Sequence, residues 1–510
     1  MKPLPPLILF ILTAALSLAS FMFVLDYAIA NVSIPYISGD LAVSTNQGTY
    51  VITAFAVGNA IGLPLTGWLT KRVGAIRLIC FSLLFFTFFS WTCGASLSFE
   101  MLVISRFLQG LSSGPVVPLS QTILVSINPP EKKAGALAIW STIVIAGPIV
   151  GPILGGWISY DYIWPWIFYI NVPIGLLTAG TIWFFLKKKE TPREKIPIDW
   201  VGLLFLAIGV SCLQFLLDKG EQYDWIRSPI IMICAVTSFV CFSFLIVWSL
   251  TSKKPLIDLT LFKIRTFALS VFYIGVIYAV YFGSVVLVPL WLQTSMNYTS
   301  IWAGLAVSPI GIAPFLFGAF MGKAVTKWGV GPLLGICFIF FTVSCFYNAY
   351  FDTDVDLWHI GISRALLGCA LIFFITPLFA LSLQGVSEEK LPSSTGIFHF
   401  VRAMSGGIGT SIFTTMWTRR SAFHHMRLGE STTPYSKETT SYLQDLNQVG
   451  LQGAQPLAQL NDTVNQQAAM LGINDCFFVM GWVFLGLILL LPLCSSSQKK
   501  EKKTVFLKKL

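Results

Sequence analysis

The sequence predicts an all-α membrane protein with fourteen transmembrane helices, and its composition and its apolar runs carry this prediction. Hydrophobic residues make up 55% of the 510 residues and charged residues only 11%, whereas a soluble domain is roughly 25% charged. Apolar runs of about 20 residues, which as helices cross a hydrocarbon layer of about 30 Å, recur along nearly the whole chain. Water-soluble proteins of this length instead alternate apolar cores with polar shells.

Charged residues, Pro and Gly separate the apolar runs and set their approximate ends. The first run is too long for the apolar region of a cleavable signal peptide, and further spans follow it at once. The predicted membrane spans cover residues 8–34, 47–70, 75–97, 101–124, 134–160, 166–186, 199–218, 228–251, 266–292, 300–326, 330–350, 357–383, 393–420 and 475–495.

Lys and Arg residues indicate which side of the membrane each connection occupies. Most of the 33 Lys and Arg residues lie in alternate connections, in a set that includes both ends of the chain. Because positively charged connections are retained on the cytoplasmic side, both termini of this multi-pass protein are predicted to be cytoplasmic. The polar 421–474 connection lies on the outer side, where it is either a solvated connection or a contact surface for a partner.

Short motifs recur in the same order in two parts of the chain. "GWLTKRVG" at 67–74 returns as "GKAVTKWG" at 322–329, and "RFLQG" at 106–110 returns as "RALLG" at 364–368. Duplicated halves around a central site are common in secondary transporters, which expose that site to alternate sides. The predicted organisation is an N-terminal six-helix bundle at 8–186, two inserted helices and a linker at 187–265, a C-terminal six-helix bundle at 266–495 and a basic cytoplasmic tail at 496–510.

A single carboxylate, Asp26, lies deep inside the first apolar run. A low-dielectric environment raises the free energy of its ionised form much more than that of its protonated form. The site could therefore exchange a proton for a cationic or amphipathic substrate. The alternative is a carboxylate that Asn31 or a backbone group holds permanently. We expect Asp26 to carry the proton and to face a cavity shared by the two bundles.

Arginines within spans must face protein or water, because a charge that faces lipid costs on the order of several kcal/mol. Arg106, Arg364 and Arg402 are therefore expected to point inward. We expect Arg106 to control the protonation of a neighbouring carboxyl group, the alternative being a purely structural bridge. His399 could take up a proton near neutral pH and join the same path, or could act only as a hydrogen-bonding residue.

Aromatic and polar side chains on several spans could form a binding pocket at the centre of the protein. Such surfaces accept flat or cationic ligands by dispersion and cation–π contact, although each side chain could equally face lipid or the helix core. The predicted substrate-binding residues are Asn31, Tyr50, Gln121, Tyr273, Tyr278, Tyr281, Trp291, Gln293 and Arg402.

The stretch at 147–159 is rich in Gly and Pro. Glycine lets two helices approach closely and proline bends a helix, so this stretch is either ordinary helix packing or a tight hinge and seal against proton leak. Its residues of interest are Gly147, Pro148, Gly151, Pro152, Gly155 and Gly156.

These motifs resemble the major facilitator superfamily, and more narrowly its fourteen-helix drug:proton antiporters of the EmrB type. "GWLTKRVGAIRL" (67–78) is similar to the loop that follows the family's second helix, "RFLQG" to the motif of its fourth helix, and "GPIVGPILGGWIS" (147–159) to the antiporter motif of its fifth. The resemblance covers almost the whole chain and implies the major facilitator fold. The gating residues that it implies in the first motif are Gly67, Lys71, Arg72 and Gly74.

The resemblance implies a proton-coupled antiporter of the inner (plasma) membrane that exports hydrophobic or amphipathic compounds by alternating access. The proton gradient would drive it without a cofactor, and a periplasmic adaptor protein and an outer-membrane channel would be partners if the host has two membranes. The alternative is a dedicated exporter of a specific metabolite, such as a siderophore or a lipid-like molecule. The chain departs from the family pattern at Lys71, where an acid is usual, at Pro165, where Arg is frequent, and at His399, where Asn is common.

Other functional classes lack the motifs that they require. "GAFMGKA" at 318–324 has neither the spacing nor the hydroxyl of an ATP-binding loop. The four His residues are not clustered with other ligands, which disfavours an enzyme, and the ten Cys residues are expected to be small buried hydrophobes. A channel would show a selectivity filter or a charged ring. The net charge of +10 is not concentrated on a surface suited to nucleic acid.

Overall fold

The computed structural model describes residues 5–194, 196–252 and 255–492. Throughout these ranges the regular secondary structure is helical, so the predicted all-α class is confirmed. The predicted basic tail at 496–510 lies outside the described residues.

The helices between residues 6 and 186 form the N-terminal helix group. Most of their buried apolar side chains pack in two clusters that are drawn from this part of the chain alone, and a few, such as Val57 and Trp68, belong to a larger cluster shared with the C-terminal helices. The group contains α1 (Pro6–Asp40), α2 (Tyr50–Val73), α3 (Ala75–Gly94), α4 (Phe99–Ser113), α5 (Val116–Ile127), α6 (Pro130–Ile145), α7 (Gly147–Asp161) and α8 (Asn171–Leu186).

Two middle helices follow, α9 (Trp200–Lys219) and α10 (Pro229–Thr251). The Asp199 side chain accepts a hydrogen bond from the Gly202 backbone N–H at 2.9 Å, which caps the start of α9. The middle helices pack on each other through stacked Phe205 and Phe244 rings, whose centroids are 4.2 Å apart.

The helices between residues 265 and 490 form the C-terminal helix group. A large apolar cluster with stacked phenylalanines fills its interior, including Phe341 and Phe484 at 4.2 Å. The group contains α11 (Arg265–Thr294), α12 (Ser300–Val307), α13 (Ile312–Phe317), α14 (Met321–Trp328), α15 (Val330–Asn348), α16 (Leu357–Ile372), α17 (Ile375–Leu383), α18 (Leu391–Ser431), α19 (Lys437–Gln448) and α20 (Gln455–Leu490).

Eleven helical segments of the described chain are long and apolar enough to cross a membrane, or twelve if the bent pair Trp302–Phe317 and Met321–Trp328 is one span. The predicted total of fourteen is therefore not confirmed. Two predicted spans account for the difference. The span at 134–160 is divided into α6 and α7 next to Pro148, whose missing N–H cannot join a helical ladder. The span at 393–420 lies in the more polar α18.

The recurring motifs occupy equivalent backbone environments. Gly74 ends α2 with a φ of 98°, and Gly329 ends α14 with a φ of 79°, in the left-handed region that favours glycine. Gly110 and Gly368 close the other motif, and a Cβ at these positions would lie only 2.1 Å and 2.4 Å from a carbonyl oxygen of a neighbouring helix. Both copies of each motif thus require glycine for the same physical reason.

The two helix groups meet at the end of the molecule that carries residues 67–78, here called the gating-loop end. A Cβ on Gly67 would lie 2.1 Å from the Ser393 Oγ, and a Cβ on Gly396 would lie 2.6 Å from the Leu63 carbonyl oxygen. Helices α2 and α18 therefore touch through glycines, and this contact closes the space between the groups at that end.

The polar 421–474 connection is helical over most of its length, because α18 and α20 both extend into it and α19 lies between them. Arg420 Nε and His424 Nε2 contact Asp475 Oδ2 at 2.6 Å and 2.7 Å. These contacts join α18 to α20.

Candidate functional site

The Asp26 carboxylate is the centre of a buried hydrogen-bond cage in the N-terminal helix group. Asp26 on α1 and Arg106 on α4 both have side chains that are 0% exposed. Arg106 Nη1 donates to Asp26 Oδ2 at 2.6 Å, while Gln109 Nε2 and Asn171 Nδ2 donate to Oδ1 at 3.1 Å and 2.7 Å. Because every one of these hydrogen bonds is donated to the carboxylate, the geometry is that of its ionised form.

Aromatic rings enclose the cation of this pair. The Arg106 guanidinium carbon lies 4.2 Å from the Phe55 ring centroid and 5.3 Å from that of Phe168. Arg106 Nη1 also donates to Gln109 Oε1 at 2.7 Å. The aromatic faces attract the cation and Asp26 neutralises it, which is how a charge can remain in so apolar an interior.

Two partners of Asp26, Gln109 and Asn171, were not among the predicted site residues. Asn171 begins α8 and also donates to the Ser90 Oγ at 3.0 Å. A signal was available, because an amide within an apolar span must find a hydrogen-bond partner or bear a large desolvation cost. The sequence could not show that these amides share a partner with Arg106, since that partner, Asp26, lies on a different helix from all three.

Asn31 is not the partner that holds Asp26, so that part of the alternative is wrong. The Asn31 side chain is exposed, and its Nδ2 donates to the Tyr27 carbonyl oxygen at 3.0 Å. In this conformation Asp26 also does not face the space between the groups as expected, because helices of its own group enclose it. The neighbouring Tyr27 is half-buried, and its ring centroid lies 6.0 Å from that of Phe55. Because Phe55 also contacts the Arg106 guanidinium, Tyr27 lies next to the cage.

The glycines of the predicted antiporter motif pack against the turn of α1 that carries Asp26. A Cβ added at Gly147, Gly151 or Gly155 would come within 2.9 Å, 2.6 Å or 2.8 Å of atoms in residues 24–29. Glycines spaced by four residues on α7 thus bring the two helices together on both sides of the acid. The other motif residues in α7 are Pro148, Pro152 and Gly156.

A hydrogen bond between His399 and Gln121 joins the two helix groups. His399 Nε2 on α18 lies 2.6 Å from Gln121 Oε1 on α5, and the two residues are 4% and 2% exposed. About one turn closer to the gating-loop end, the Thr122 and Thr395 hydroxyl oxygens lie 3.2 Å apart. The predicted site residues His399 and Gln121 therefore lie in the seam between the groups.

Tyr278, Tyr281 and Arg402 lie together in the C-terminal group. Arg402 Nη1 donates to the Tyr278 hydroxyl at 3.2 Å, and its guanidinium carbon lies 5.0 Å from the Tyr278 ring centroid. The Tyr281 ring centroid is 5.7 Å from that of Tyr278. All three side chains are half-buried, so they can present a surface to a ligand.

The remaining predicted binding residues are dispersed. Tyr273 and Trp291 are 0% and 2% exposed in the core of the C-terminal group, where they offer no surface to a ligand in this conformation. Gln293 is exposed near the end of α11. Tyr50 begins α2, and the Lys219 Nζ lies 4.5 Å from its ring centroid.

Asp218 on α9 is a second acid near the space between the groups, and sequence reasoning missed it. Its side chain is exposed, the Thr53 hydroxyl donates to Oδ2, and Gln214 Nε2 donates to Oδ1 at 3.0 Å. The Ser411 hydroxyl donates to the Leu217 carbonyl oxygen at 2.9 Å. The end of α9 is thus attached to both groups, although its position at the end of a span suggested only a connection.

The gating loop is attached to the linker that precedes the middle helices. The Glu190 carboxylate accepts from the backbone N–H groups of Ile76 and Arg77 at 3.0 Å and 2.9 Å, next to the positive N-terminus of α3. Arg72 Nη1 donates to a linker carbonyl oxygen at 2.8 Å, and the Lys71 carbonyl oxygen accepts from a linker N–H at 2.8 Å. Lys71 occupies the position at which an acid is usual in the family that this loop resembles. The carboxylate of Glu190, which comes from the linker, lies beside the loop.

Within the described ranges, His, Cys, Asp and Glu side chains form no group of three or more that could hold a metal ion. The cysteines of these ranges are free thiols, and most are buried, as expected for small hydrophobes.

Comparison with known sequences identifies close relatives. A model of the Major Facilitator Superfamily matches residues 16–410. The chain is 42% identical over 494 residues to the "Multidrug export protein EmrB" of Haemophilus influenzae, covering 96% of this chain and 97% of that protein. It is 42% identical to EmrB of Escherichia coli K12, covering 96% and 95%, and 40% identical to the "Fatty acid resistance protein FarB" of Neisseria gonorrhoeae, covering 93% and 94%.

Solved structures share the fold. The human organic anion transporter MFSD10 aligns with a TM-score of 0.59 over 94% of this chain and 100% of its own, at 14% sequence identity. The proton:xylose symporter XylE aligns with a TM-score of 0.57 over 94% and 96%, at 12% identity. At such low identity these likenesses concern the fold alone.

Proposed function

Because this chain belongs to the major facilitator superfamily, we propose that it exports hydrophobic or amphipathic compounds across the inner membrane in exchange for protons. Its role as a multidrug efflux transporter rests on relatives that are 42% identical over most of the chain. It is a multi-pass membrane protein and not an enzyme. Proton coupling, the coupling residues and the route of the substrate are the parts that we propose.

The buried cage around Asp26 is the observation that supports proton coupling. Protonation would turn one carboxylate oxygen from an acceptor into a donor and would remove the charge that balances Arg106. The three donors at 2.6 Å, 3.1 Å and 2.7 Å would then have to rearrange. Proton binding therefore favours a different packing of α1, α4 and α8, and a group that binds a proton in only one of two conformations couples the proton to the conformational change.

The antiporter motif connects this cage to helix movement. Since Gly147, Gly151 and Gly155 hold α7 directly against residues 24–29, a shift of α1 that opens the cage also shifts α7. We propose that this tight contact keeps the cage closed to protons until the whole group moves. His399 joins the path at the seam, where its bond to Gln121 breaks when the groups separate.

We propose that the conformation described here is closed to the cytoplasm. The positive-inside rule assigns the gating-loop end and both termini to the cytoplasmic side, and the groups touch at that end. In this scheme the halves at 8–186 and 266–495 move against each other about the middle helices. The divided span at 134–160 and the polar span in α18 complete fourteen crossings.

The proposed substrate pocket contains Tyr278, Tyr281 and Arg402 on one side and Tyr27 on the other. Its aromatic faces suit compounds with large apolar surfaces. A periplasmic adaptor and an outer-membrane channel are proposed partners if the host has two membranes, and the outer helices between 421 and 474 offer a surface on the side where an adaptor would bind.

Dye retention in cells tests the proposed function. The chain is expressed in a host that lacks its own exporters, and accumulation of a fluorescent dye is measured with and without a proton uncoupler. We expect expression to lower retention and the uncoupler to restore it. Lowered retention that ignores the uncoupler would rule out proton drive.

A second candidate, export of one lipid-like metabolite, is favoured by the relative named for fatty acid resistance, which is 40% identical to this chain. Resistance to a panel of medium-chain fatty acids, measured beside the dyes, separates the two functions. Protection against fatty acids without any effect on dyes would select the dedicated exporter.

A further inference from the structure

Arg402 is a cation inside a membrane helix for which the described residues supply no acid. It follows the start of α18 at Leu391 by eleven residues, or about 16 Å of helix, which places it near mid-membrane. None of the ion pairs in the described ranges includes Arg402. Its Nη1 donates to the neutral Tyr278 hydroxyl, and its Nε is buried without a partner. A charge at this depth needs a counter-charge.

Other charged side chains deep within the described helices are ion-paired, hydrogen-bonded to neighbouring side chains, or fully buried. Arg106 is paired with Asp26 at 2.6 Å. The acid of α9, Asp218, accepts hydrogen bonds from Thr53 and Gln214, and Lys219 adds a positive charge at the same end of α9. Arg364 is fully buried, and no ligand can reach it in this conformation. The half-buried Arg402 is therefore a cation near the space between the groups that forms none of the ion pairs of the described ranges.

The orientation of α18 directs this charge towards the N-terminal group. His399, Arg402 and Gly406 are spaced by three and four residues and so share one face of the helix. His399 on that face contacts Gln121 of the N-terminal group. Arg402 lies one turn beyond the closed seam, at the depth where a substrate would be held.

From this charge balance we infer that Arg402, backed by Tyr278, is a recognition site for the head group of amphipathic monoanions such as carboxylates. This inference deepens the proposed export function and rests on it. An incoming carboxylate would accept from the unpartnered Nε and a terminal nitrogen of the guanidinium, and would cancel its charge in a medium of low dielectric. Its apolar tail would lie against the aromatic rings of Tyr278 and Tyr281.

Binding of three twelve-carbon amphiphiles tests the inference. The full chain is placed in phosphatidylcholine nanodiscs, and dodecanoate, dodecanol and dodecyltrimethylammonium are titrated at pH 7.5, with empty nanodiscs as the blank. We expect Arg402→Met to weaken dodecanoate binding about tenfold or more and Arg402→Lys to restore part of it. Affinity for the alcohol and the ammonium compound should change less than twofold. Arg427→Met, which removes an exposed charge from the same helix, is the matched control and should change none of the three affinities.

Equal losses for all three amphiphiles would overturn the inference and leave Arg402 a structural support for Tyr278. An unchanged dodecanoate affinity in Arg402→Met would overturn it as well. Competition by added phosphatidylglycerol would assign the site to a lipid phosphate and not to a substrate, which also overturns it. Because binding is measured directly, a failure here is distinguishable from a failure of export, which the dye-retention assay reports.

Discussion

The two recurring motifs place an arginine in the core of each helix group, and only one of the two arginines is paired with an acid. Arg106 pairs with Asp26, which precedes it by 80 residues. Arg364 donates to the Ser284 hydroxyl at 3.1 Å, and Ser284 also precedes its arginine by 80 residues. Both arginines are 0% exposed. The same position in each group thus carries an acid in one and a hydroxyl in the other.

The two arginines share one kind of neighbour, an aromatic ring, and differ in their other hydrogen-bond partners, which include Gln109 for Arg106 and Ser363 for Arg364. Arg106 lies 5.3 Å from the Phe168 ring centroid and Arg364 lies 5.6 Å from that of Phe477. A serine cannot exchange a proton at physiological pH, whereas a carboxylate can. The comparison therefore supports our proposal that proton exchange takes place in the N-terminal group and that the matching site in the C-terminal group is structural.

The largest expected effect comes from removing the acid. Asp26→Asn keeps the size of the side chain but cannot exchange a proton, so we expect active dye efflux per molecule to fall to background, at least about tenfold. Because Arg106 then lacks its counter-charge, abundance should fall as well, and quantitative blotting normalises the efflux. The matched change in the other group, Ser284→Ala, should leave efflux within about twofold. Full efflux by Asp26→Asn would remove this residue from the mechanism.

Removing each arginine sharpens the same contrast. Arg106→Met leaves a buried carboxylate without its counter-charge, which costs about 3–5 kcal/mol, so both abundance and efflux should fall strongly. Arg364→Met leaves only neutral hydroxyls unpaired, at about 1–3 kcal/mol. Quantitative blotting together with efflux per molecule checks this prediction. If efflux per molecule is also lost in the Arg364→Met variant, the two sites are not functionally different.

A smaller effect is expected when the contact that holds the cage is loosened. Gly151→Ala would place a Cβ 2.6 Å from the Ala28 Cβ, and such overpacking costs about 1–3 kcal/mol. We expect efflux to fall roughly fivefold. Gly156→Ala is the control, since its Cβ would lie 3.9 Å from the nearest atom of Val32. Equal effects of the two changes would show that the packing against Asp26 has no special role.

The helical class and the recurring motifs could be predicted from the sequence because both depend on local patterns. Apolar runs of membrane length and the glycines at 74 and 329 are visible in the chain itself. The full set of partners around Asp26 could not be predicted, because Arg106, Gln109 and Asn171 reach it from two other helices. Contacts of this kind depend on how helices pack, and apolar periodicity gives no information on register between helices.

Burial in the folded protein also determines which of the predicted pocket residues are accessible to a ligand. Tyr273 and Tyr278 lie five residues apart on α11 with the same chemistry, yet Tyr273 is 0% exposed and Tyr278 is half-buried beside Arg402. In a protein with apolar residues on every face, hydropathy does not separate the lipid-facing side of a helix from its core side. The exposed Asp218 was missed for a related reason, since the end of a span and a loop look alike in sequence.

The smallest expected effect is at the seam between the groups. His399→Asn can keep a hydrogen bond to Gln121 but cannot take up a proton, so we expect efflux to fall only about two- to threefold. If His399 joins the proton path, the dependence of efflux on external pH becomes less steep in this variant. A profile with the same shape as that of the unmodified chain would leave His399 a structural contact alone.

Proton movement in proteoliposomes tests the role of Asp26 most directly. Vesicles are loaded with a permanently charged exported dye and with a lumenal pH indicator, and the membrane potential is clamped while the dye flows out through the protein. The unmodified chain should acidify the lumen as protons enter in exchange, and Asp26→Asn should not. Acidification at an equal rate in that variant would contradict the assignment of proton exchange to Asp26.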